Sequence, residues 1–137
     1  MWNDLDLLYF LGYALWNYAA TPFVFLWNGF ECRENTPLRE RNGPTLRALH
    51  VMYPPGFPTH CREQKFYFDD AGLLRRIDYS ADVFGEWARA VHECDSHRMF
   101  DGLVFPTHRV VFARTPSGRP LRRVRLMEGW IDHVAVD

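Results

Sequence analysis

The stretch KFYFDDAGLLRRIDY, from Lys65 to Tyr79, decides the fold. Successive side chains of a strand point to opposite faces, so Phe66 and Phe68 share one face while Tyr67 points to the other. The turn is expected at Asp70-Ala71-Gly72, because glycine tolerates positive φ and an aspartate side chain can accept hydrogen bonds from nearby backbone N–H groups. The segment therefore predicts an antiparallel β-hairpin.

Turn residues divide much of the remaining chain into short apolar segments, which is typical of an antiparallel meander. A loop is predicted over Glu34–Pro44, because this segment combines two prolines with Asn42-Gly43 and mixed charge. Strands are predicted at 45–53, 61–69, 73–79, 90–94, 99–113, 120–128 and 130–136, with a loop or a helical turn at 82–89. The prediction is one α+β, mostly β domain over residues 1–137, with a helix at about 4–20 and an antiparallel meander at about 45–136. The simplest architecture packs the N-terminal helix on a curved antiparallel sheet, as a half-barrel or a calycin-like barrel.

The N-terminal segment is the most hydrophobic part of the chain and has helical spacing of apolar residues. Asn3 or Asp4 is expected to cap the helix, and Pro22 is expected to end it. Residues 7–27 are long enough to span a bilayer, but Pro22 and Asn17 interrupt them and the flanks are acidic, so no stable membrane insertion is predicted. Residues 1–4 lack the basic charge that begins a signal peptide. If this helix is apolar all round, we expect it to be covered on more than one side, and the sheet and a second copy of the chain could provide the two covers.

Composition restricts the partners and the compartment. The net charge of −1 predicts no nucleic-acid partner. Aromatic residues make up 16% of the chain, which indicates either large core side chains or an aromatic-lined cavity. The three cysteines, Cys32, Cys61 and Cys94, are odd in number and widely spaced, so reduced thiols and a cytoplasmic location are predicted.

Several motifs together carry a family resemblance. They are WNDLD at 2–6, YFLGYALWNY at 9–18 and FDGLVFPT at 100–107. The chain resembles a family of largely uncharacterised bacterial proteins, and the last motif is similar to the curved sheets of lipoprotein-carrier-like half-barrels, which hold acyl chains. Members of that family have extra strands before the first motif, so the resemblance implies an exposed sheet edge here and favours a homodimer. The family supplies no reaction to transfer.

Candidate catalytic residues are His108, His50 and Asp78. Both histidines fall on apolar strand faces, where burial favours a neutral imidazole that can act as a general base. Asp78 could orient a histidine, or it could form an outward salt bridge with Arg76. A core histidine satisfied by one hydrogen bond is the alternative for His108 and His50. The candidate ligand-binding residues, which include aromatic side chains and a few polar anchors, are Tyr13, Trp16, His60, Tyr67, Arg76 and Tyr79.

One spacing resembles a metal site, His92-x-Cys94-x-x-His97, but it lacks a fourth ligand, and no metal or cofactor is predicted. Three functions follow from the sequence. The first is binding of a hydrophobic or aromatic small molecule in a cavity between the curved sheet and the helix. The second is a cofactor-free cyclase, isomerase or hydrolase that acts on a hydrophobic metabolite with a His/Asp acid–base pair. The third is a structural or interaction subunit, which would have a filled core and a large apolar surface patch.

Overall fold

The computed structural model describes residues 3–82, 85 and 88–136. In the described part of the chain one α-helix, α1, is followed by a short 3₁₀ helix and seven strands. Their bounds are α1 Asp4–Ala20, the 3₁₀ helix Phe23–Leu26, β1 Glu31–Arg39, β2 Thr45–Met52, β3 Glu63–Phe68, β4 Leu74–Ser80, β5 Arg89–Phe100, β6 Leu103–Arg114 and β7 Pro120–Trp130. Among these residues no helix is long and apolar enough to cross a membrane.

The predicted hairpin is confirmed as β3 and β4. Phe66 pairs with Ile77 across the two strands, and both side chains are buried. The carboxylate of Asp69, at the end of β3, accepts hydrogen bonds from the backbone N–H groups of Ala71 and Leu73 at 3.0 and 2.9 Å. Gly72 has φ of +77°, the left-handed conformation that the turn requires.

All seven strands pair antiparallel with their sequence neighbours, in the order β1 to β7. The fold is α+β and mostly β, with one helix on a curved, open sheet, as predicted. The closed, calycin-like alternative is wrong, because β1 and β7 are the two edges of the sheet rather than neighbours.

The loop predicted at Glu34–Pro44 is wrong over most of its length, because β1 runs through Pro37. Proline is tolerated here since β1 is an edge strand that pairs only with β2, and the register shifts between Asn35 and Leu38. The strand predicted at 130–136 is also wrong. β7 instead continues through Gly129 to Trp130, and residues 131–136 form no strand. Part of the segment predicted at 82–89 lies outside the described residues.

Helix α1 begins and ends where the sequence predicts. The side chain of Asn3 accepts from the N–H groups of Leu5 and Asp6, and the Asp6 carboxylate accepts from the Asn3 N–H, which makes a capping box. The helix ends at Ala20, just before Pro22. Its buried residues are Ala14, Asn17 and Tyr18.

The sheet therefore has a face that α1 covers, here called the covered face, and an opposite face. Phe66, Ile77 and His92 lie on the covered face, linked by the register of β3, β4 and β5. Tyr67, Arg76 and Glu93 lie on the opposite face by the same register. The alternation seen at the hairpin thus extends across the sheet and decides which candidate residues can meet.

Candidate functional site

The sheet separates the predicted site residues into two groups. Tyr13 and Trp16 lie on α1, and His60 and Tyr79 lie below the helix on the covered face. The remaining candidates lie on the opposite face: His50, Tyr67, Arg76, Asp78 and His108. The predicted set therefore does not form one site, and the adjacent residues Asp78 and Tyr79 point away from each other because they alternate along β4.

A buried polar centre lies between α1 and the covered face. The His60 ring stacks on Tyr79 with a centroid distance of 4.8 Å, and its Nε2 lies 3.5 Å from the hydroxyl of Tyr18. Burial lowers the pKa of His60 to about 4. The fully buried His92 has a pKa well below its ordinary value, because of burial and then the nearby charge of Arg109. Both imidazoles are therefore neutral at pH 7.

Arg109 completes this centre, and sequence reasoning missed it. The side chain is 2% exposed, and among the described residues no carboxylate forms an ion pair with it. Its guanidinium donates to the backbone carbonyl of Tyr18 at 2.6 Å and lies 3.4 Å from His92 Nε2. That carbonyl belongs to the last turn of α1, which carries no basic residue of its own. Arg109 therefore supplies the positive charge that the C-terminal end of the helix dipole favours.

The only detectable signal for Arg109 in the sequence is alternation, since it shares a strand face with Val111. Its guanidinium also lies 3.4 Å from the sulfur of Cys94. Burial nevertheless raises the pKa of the Cys94 thiol to about 11, and the guanidinium only partly opposes that rise. The thiol is therefore protonated at neutral pH and is not an activated nucleophile.

The cavity found beneath α1 is small. The cavity lined by Asn17, Tyr18, His60, Gln64 and His92 measures about 10 Å³, room for one water molecule at most. Ligand pockets commonly measure about 300–1,000 Å³. This cavity is therefore too small for the hydrophobic ligand that the sequence predicts between the helix and the sheet.

A second polar cluster lies on the opposite face and includes three predicted site residues. Arg76 donates to the Asp78 carboxylate at 2.6 and 2.9 Å, and both side chains are buried. Arg114 donates to the same carboxylate at 3.0 Å, and the Tyr67 hydroxyl lies 3.4 Å from it. Two arginines and a tyrosine thus surround the Asp78 carboxylate, and among the described residues no histidine forms a hydrogen bond with it.

An open groove of about 590 Å³ lies beside this cluster. Most of the residues that line it are charged and carry both signs, including Arg76, Arg122, Glu93 and Glu40. Arg122 and Glu93 pair across the groove wall at 2.7 and 3.0 Å. This chemistry suits a polar ligand rather than a hydrophobic one.

His108 and His50 have carboxylate partners rather than the expected apolar surroundings. The His108 nitrogens lie 2.9 Å from Asp95 and 3.0 Å from Glu128, and the ring stacks on Trp130 at 3.9 Å. Partial burial opposes the charge, but the two carboxylates raise the pKa of His108 above its ordinary value. Both nitrogens donate to their carboxylates only in the protonated, imidazolium form, and in that form neither can accept a proton as a general base. His50 Nε2 lies 2.7 Å from the Glu63 carboxylate.

The outward side of α1 is apolar and exposed. We call it the outer helix surface and define it as Leu5, Leu8, Gly12, Leu15 and Trp16 of α1 together with Leu26 and Trp27 after it. Leu8 is 68% exposed, Leu15 61% and Leu26 91%. The Trp16 ring contacts the rings of Trp27 and Phe57, with centroid distances of 6.3 and 5.4 Å, which makes the surface continuous beyond the helix.

The polarity of α1 is therefore the reverse of that usual for a surface helix, in which apolar residues face the core. Asn17 faces inward and donates to the carbonyl of Pro58 at 2.6 Å, while the leucines face outward. Contiguous exposed apolar patches on folded proteins mark interaction surfaces. Leu126, on edge strand β7, has a similar exposure of 59% but lies on a different element.

In the part of the chain that the structure describes, no three His, Cys, Asp or Glu side chains are grouped so that they could hold a metal ion. All three cysteines are free thiols. No family model, curated protein or solved structure matches the chain. The resemblance to a bacterial family therefore stays a prediction, and the functional argument depends on the geometry alone.

Proposed function

We propose that the protein is an interaction subunit that binds another protein chain through the outer helix surface. The observation that carries this proposal is the reversed polarity of α1, with Asn17 and Tyr18 buried and Leu8 and Leu15 exposed. Burial of apolar area stabilises an association by roughly 25 cal/mol per Å² before the costs of ordering are subtracted. The small cavity beneath α1 and the exposed apolar side chains of the outer helix surface both support an interaction subunit.

Charge favours a protein partner over a lipid surface. From Leu7 to Phe30 the chain has no charged residue, and the first basic residue is Arg33. Helices that lie on membranes carry Lys and Arg beside their apolar face, because these residues attract anionic headgroups. The charges at the start of α1 are Asp4 and Asp6, which such headgroups repel. An uncharged, apolar protein surface is the complementary partner.

Site-specific photo-cross-linking in the native host tests this function. Leu8→benzoylphenylalanine places the reactive group on the outer helix surface, and Leu126→benzoylphenylalanine is the control on β7 with similar exposure. We expect a covalent protein adduct from position 8 and none from position 126. No adduct from position 8, or equal labelling from both positions, would contradict the proposal.

Small-molecule binding is a second candidate, and the groove on the opposite face supports it. The groove has the volume of a ligand site, and the buried Arg76 is a fixed polar anchor in its wall. Native mass spectrometry of the purified protein should then detect a bound polar compound, and Arg122→Ala should release it. A protein that carries no compound after gentle purification, and binds none from a metabolite extract, would count against this candidate.

A further inference from the structure

We propose that the partner of the outer helix surface is a second copy of this chain, and that two α1 helices cross antiparallel at Gly12. This inference rests on the proposed function, because it names the partner of the same surface. Gly12 lies eight residues from each end of α1, Asp4 and Ala20, so it is the midpoint of the helix. At 100° per residue it points away from the buried side formed by Ala14, Asn17 and Tyr18.

Gly12 fits a close helix crossing. A Cβ atom added at Gly12 would meet nothing within 4 Å, so the single chain gives no packing reason for a glycine there. Glycine in the middle of a helix is unfavourable relative to alanine. A small residue does, however, let the backbone of a second helix approach closely, and side chains on either side then interlock.

The residues around Gly12 are self-complementary, as a two-fold interface requires. In an antiparallel pair centred on Gly12, Leu8 is level with Trp16 of the partner subunit, and Leu5 is level with the partner's Ala19. A large residue thus stands beside a small one at the ends of the contact. The antiparallel direction also keeps the acidic ends, Asp4 and Asp6, of the two helices apart.

The exposed area agrees with a covered surface. A compact folded monomer of 16.2 kDa has a solvent-accessible surface of about 7,500 Å². This chain has 9008 Å², and the excess of roughly 1,500 Å² is nearly twice one partner's share, about 800 Å², of a standard interface. Leu5, Leu8, Leu15, Leu26 and Trp27 of the outer helix surface are each more than half exposed and contribute to this excess.

Cysteine cross-linking of the purified full chain tests the register. Cys32 is first replaced by serine, because it is exposed and would react with the cross-linker. Cys61 and Cys94 are buried and can stay. Leu8→Cys and Trp16→Cys are then made as two separate proteins. With a short bis-maleimide we expect cross-linked dimers when the two proteins are mixed, and little when either is treated alone. Linking of each variant to itself, or no linking in the mixture, would overturn the antiparallel register.

Gly12→Leu tests the crossing point. The new side chain has open space in the single chain and favours helix, so loss of folding would not explain its effect. The larger side chain overpacks the contact between the two α1 helices. The dissociation constant of the dimer should therefore rise roughly tenfold to hundredfold in sedimentation equilibrium. Leu126→Glu is the control and should leave the dimer intact.

The two proposals fail in different ways. A purified chain that stays monomeric, while position 8 forms adducts with a different protein in the native host, would overturn the second-copy partner and keep the interaction function. No adduct of any kind from position 8 would overturn both. Adducts between two copies of this chain support both.

Discussion

At the scale of single residues, the buried histidines give the fold a defined pH dependence. The pKa of His60 is lowered to about 4 in the folded protein, whereas an unfolded histidine titrates near 6.5. The unfolded chain therefore binds more protons, and stability falls as the pH drops from about 6.5 toward 4. From about pH 7 to pH 4.5 the free energy of unfolding should fall by roughly 2–3 kcal/mol less in His60→Phe than in the wild type. The phenylalanine keeps a ring against Tyr79. Chemical denaturation at both pH values measures the free energy of unfolding of each protein. If it falls equally in both proteins, His60 is not the source of the pH dependence.

His108 should titrate in the opposite direction. Its pKa is raised, so its pairing with Asp95 and Glu128 stabilises the fold fully below about pH 6.5 and loses effect as the pH rises through the folded pKa. We expect the NMR titration of the His108 ring to lie above that of an ordinary histidine. Asp95→Asn should move this titration back toward the ordinary value. A His108 pKa that Asp95→Asn leaves unchanged would rule out the paired arrangement.

At the scale of elements, Arg109 joins α1 to the sheet. Arg109→Met keeps the length of the side chain but leaves the Tyr18 carbonyl without its 2.6 Å donor. An unsatisfied buried acceptor costs about 1–3 kcal/mol, and the loss falls on the contact between helix and sheet. Hydrogen exchange should therefore accelerate in the second half of α1 more than in β4. Arg122→Met removes an exposed arginine of β7 and is the control. Equal acceleration in α1 and β4 would show that Arg109 stabilises the sheet as a whole rather than the helix.

Local sequence chemistry explains which elements could be predicted. The hairpin of β3 and β4 and the bounds of α1 follow from glycine, proline and capping residues that act within a few positions. β1 was missed because Pro37 indicates a loop, and only the tertiary position of β1 at an edge makes a proline acceptable. Helical spacing in α1 likewise identifies the helix but not which side it buries. The inward side is fixed by Asn17 and Arg109, whose partners are distant in sequence.

At the scale of the whole molecule, the fold class was predictable and the site was not. Strand count and hairpin spacing predict a meander, but whether the sheet closes depends on whether β1 meets β7, and no local pattern encodes this. The chemical type of a residue identifies it as a site candidate, but the strand register decides its face, and the candidates lie on both faces of the sheet. Arg109 is the clearest example, because an arginine between apolar residues does not indicate that its side chain donates to a carbonyl in the last turn of a helix. The size of the cavity beneath α1 depends on how the helix packs on the sheet, which the sequence pattern does not specify.

Dimerisation through the outer helix surface should make the thermal stability of the protein depend on its concentration. If two chains associate through the outer helix surface, association stabilises the folded form by mass action, so the midpoint of thermal unfolding, Tm, must rise with protein concentration. Each tenfold increase contributes about 1.4 kcal/mol per dimer, so a roughly hundredfold range should raise Tm by several degrees for a chain of 137 residues. Gly12→Leu should shift Tm much less over the same range, because it weakens association while fitting the single chain. Leu126→Glu should retain the wild-type dependence, since Leu126 lies on β7 rather than on α1. A wild-type Tm that stays constant across the range would show that α1 remains uncovered, and the reversed polarity of the helix would then need a partner other than the chain itself.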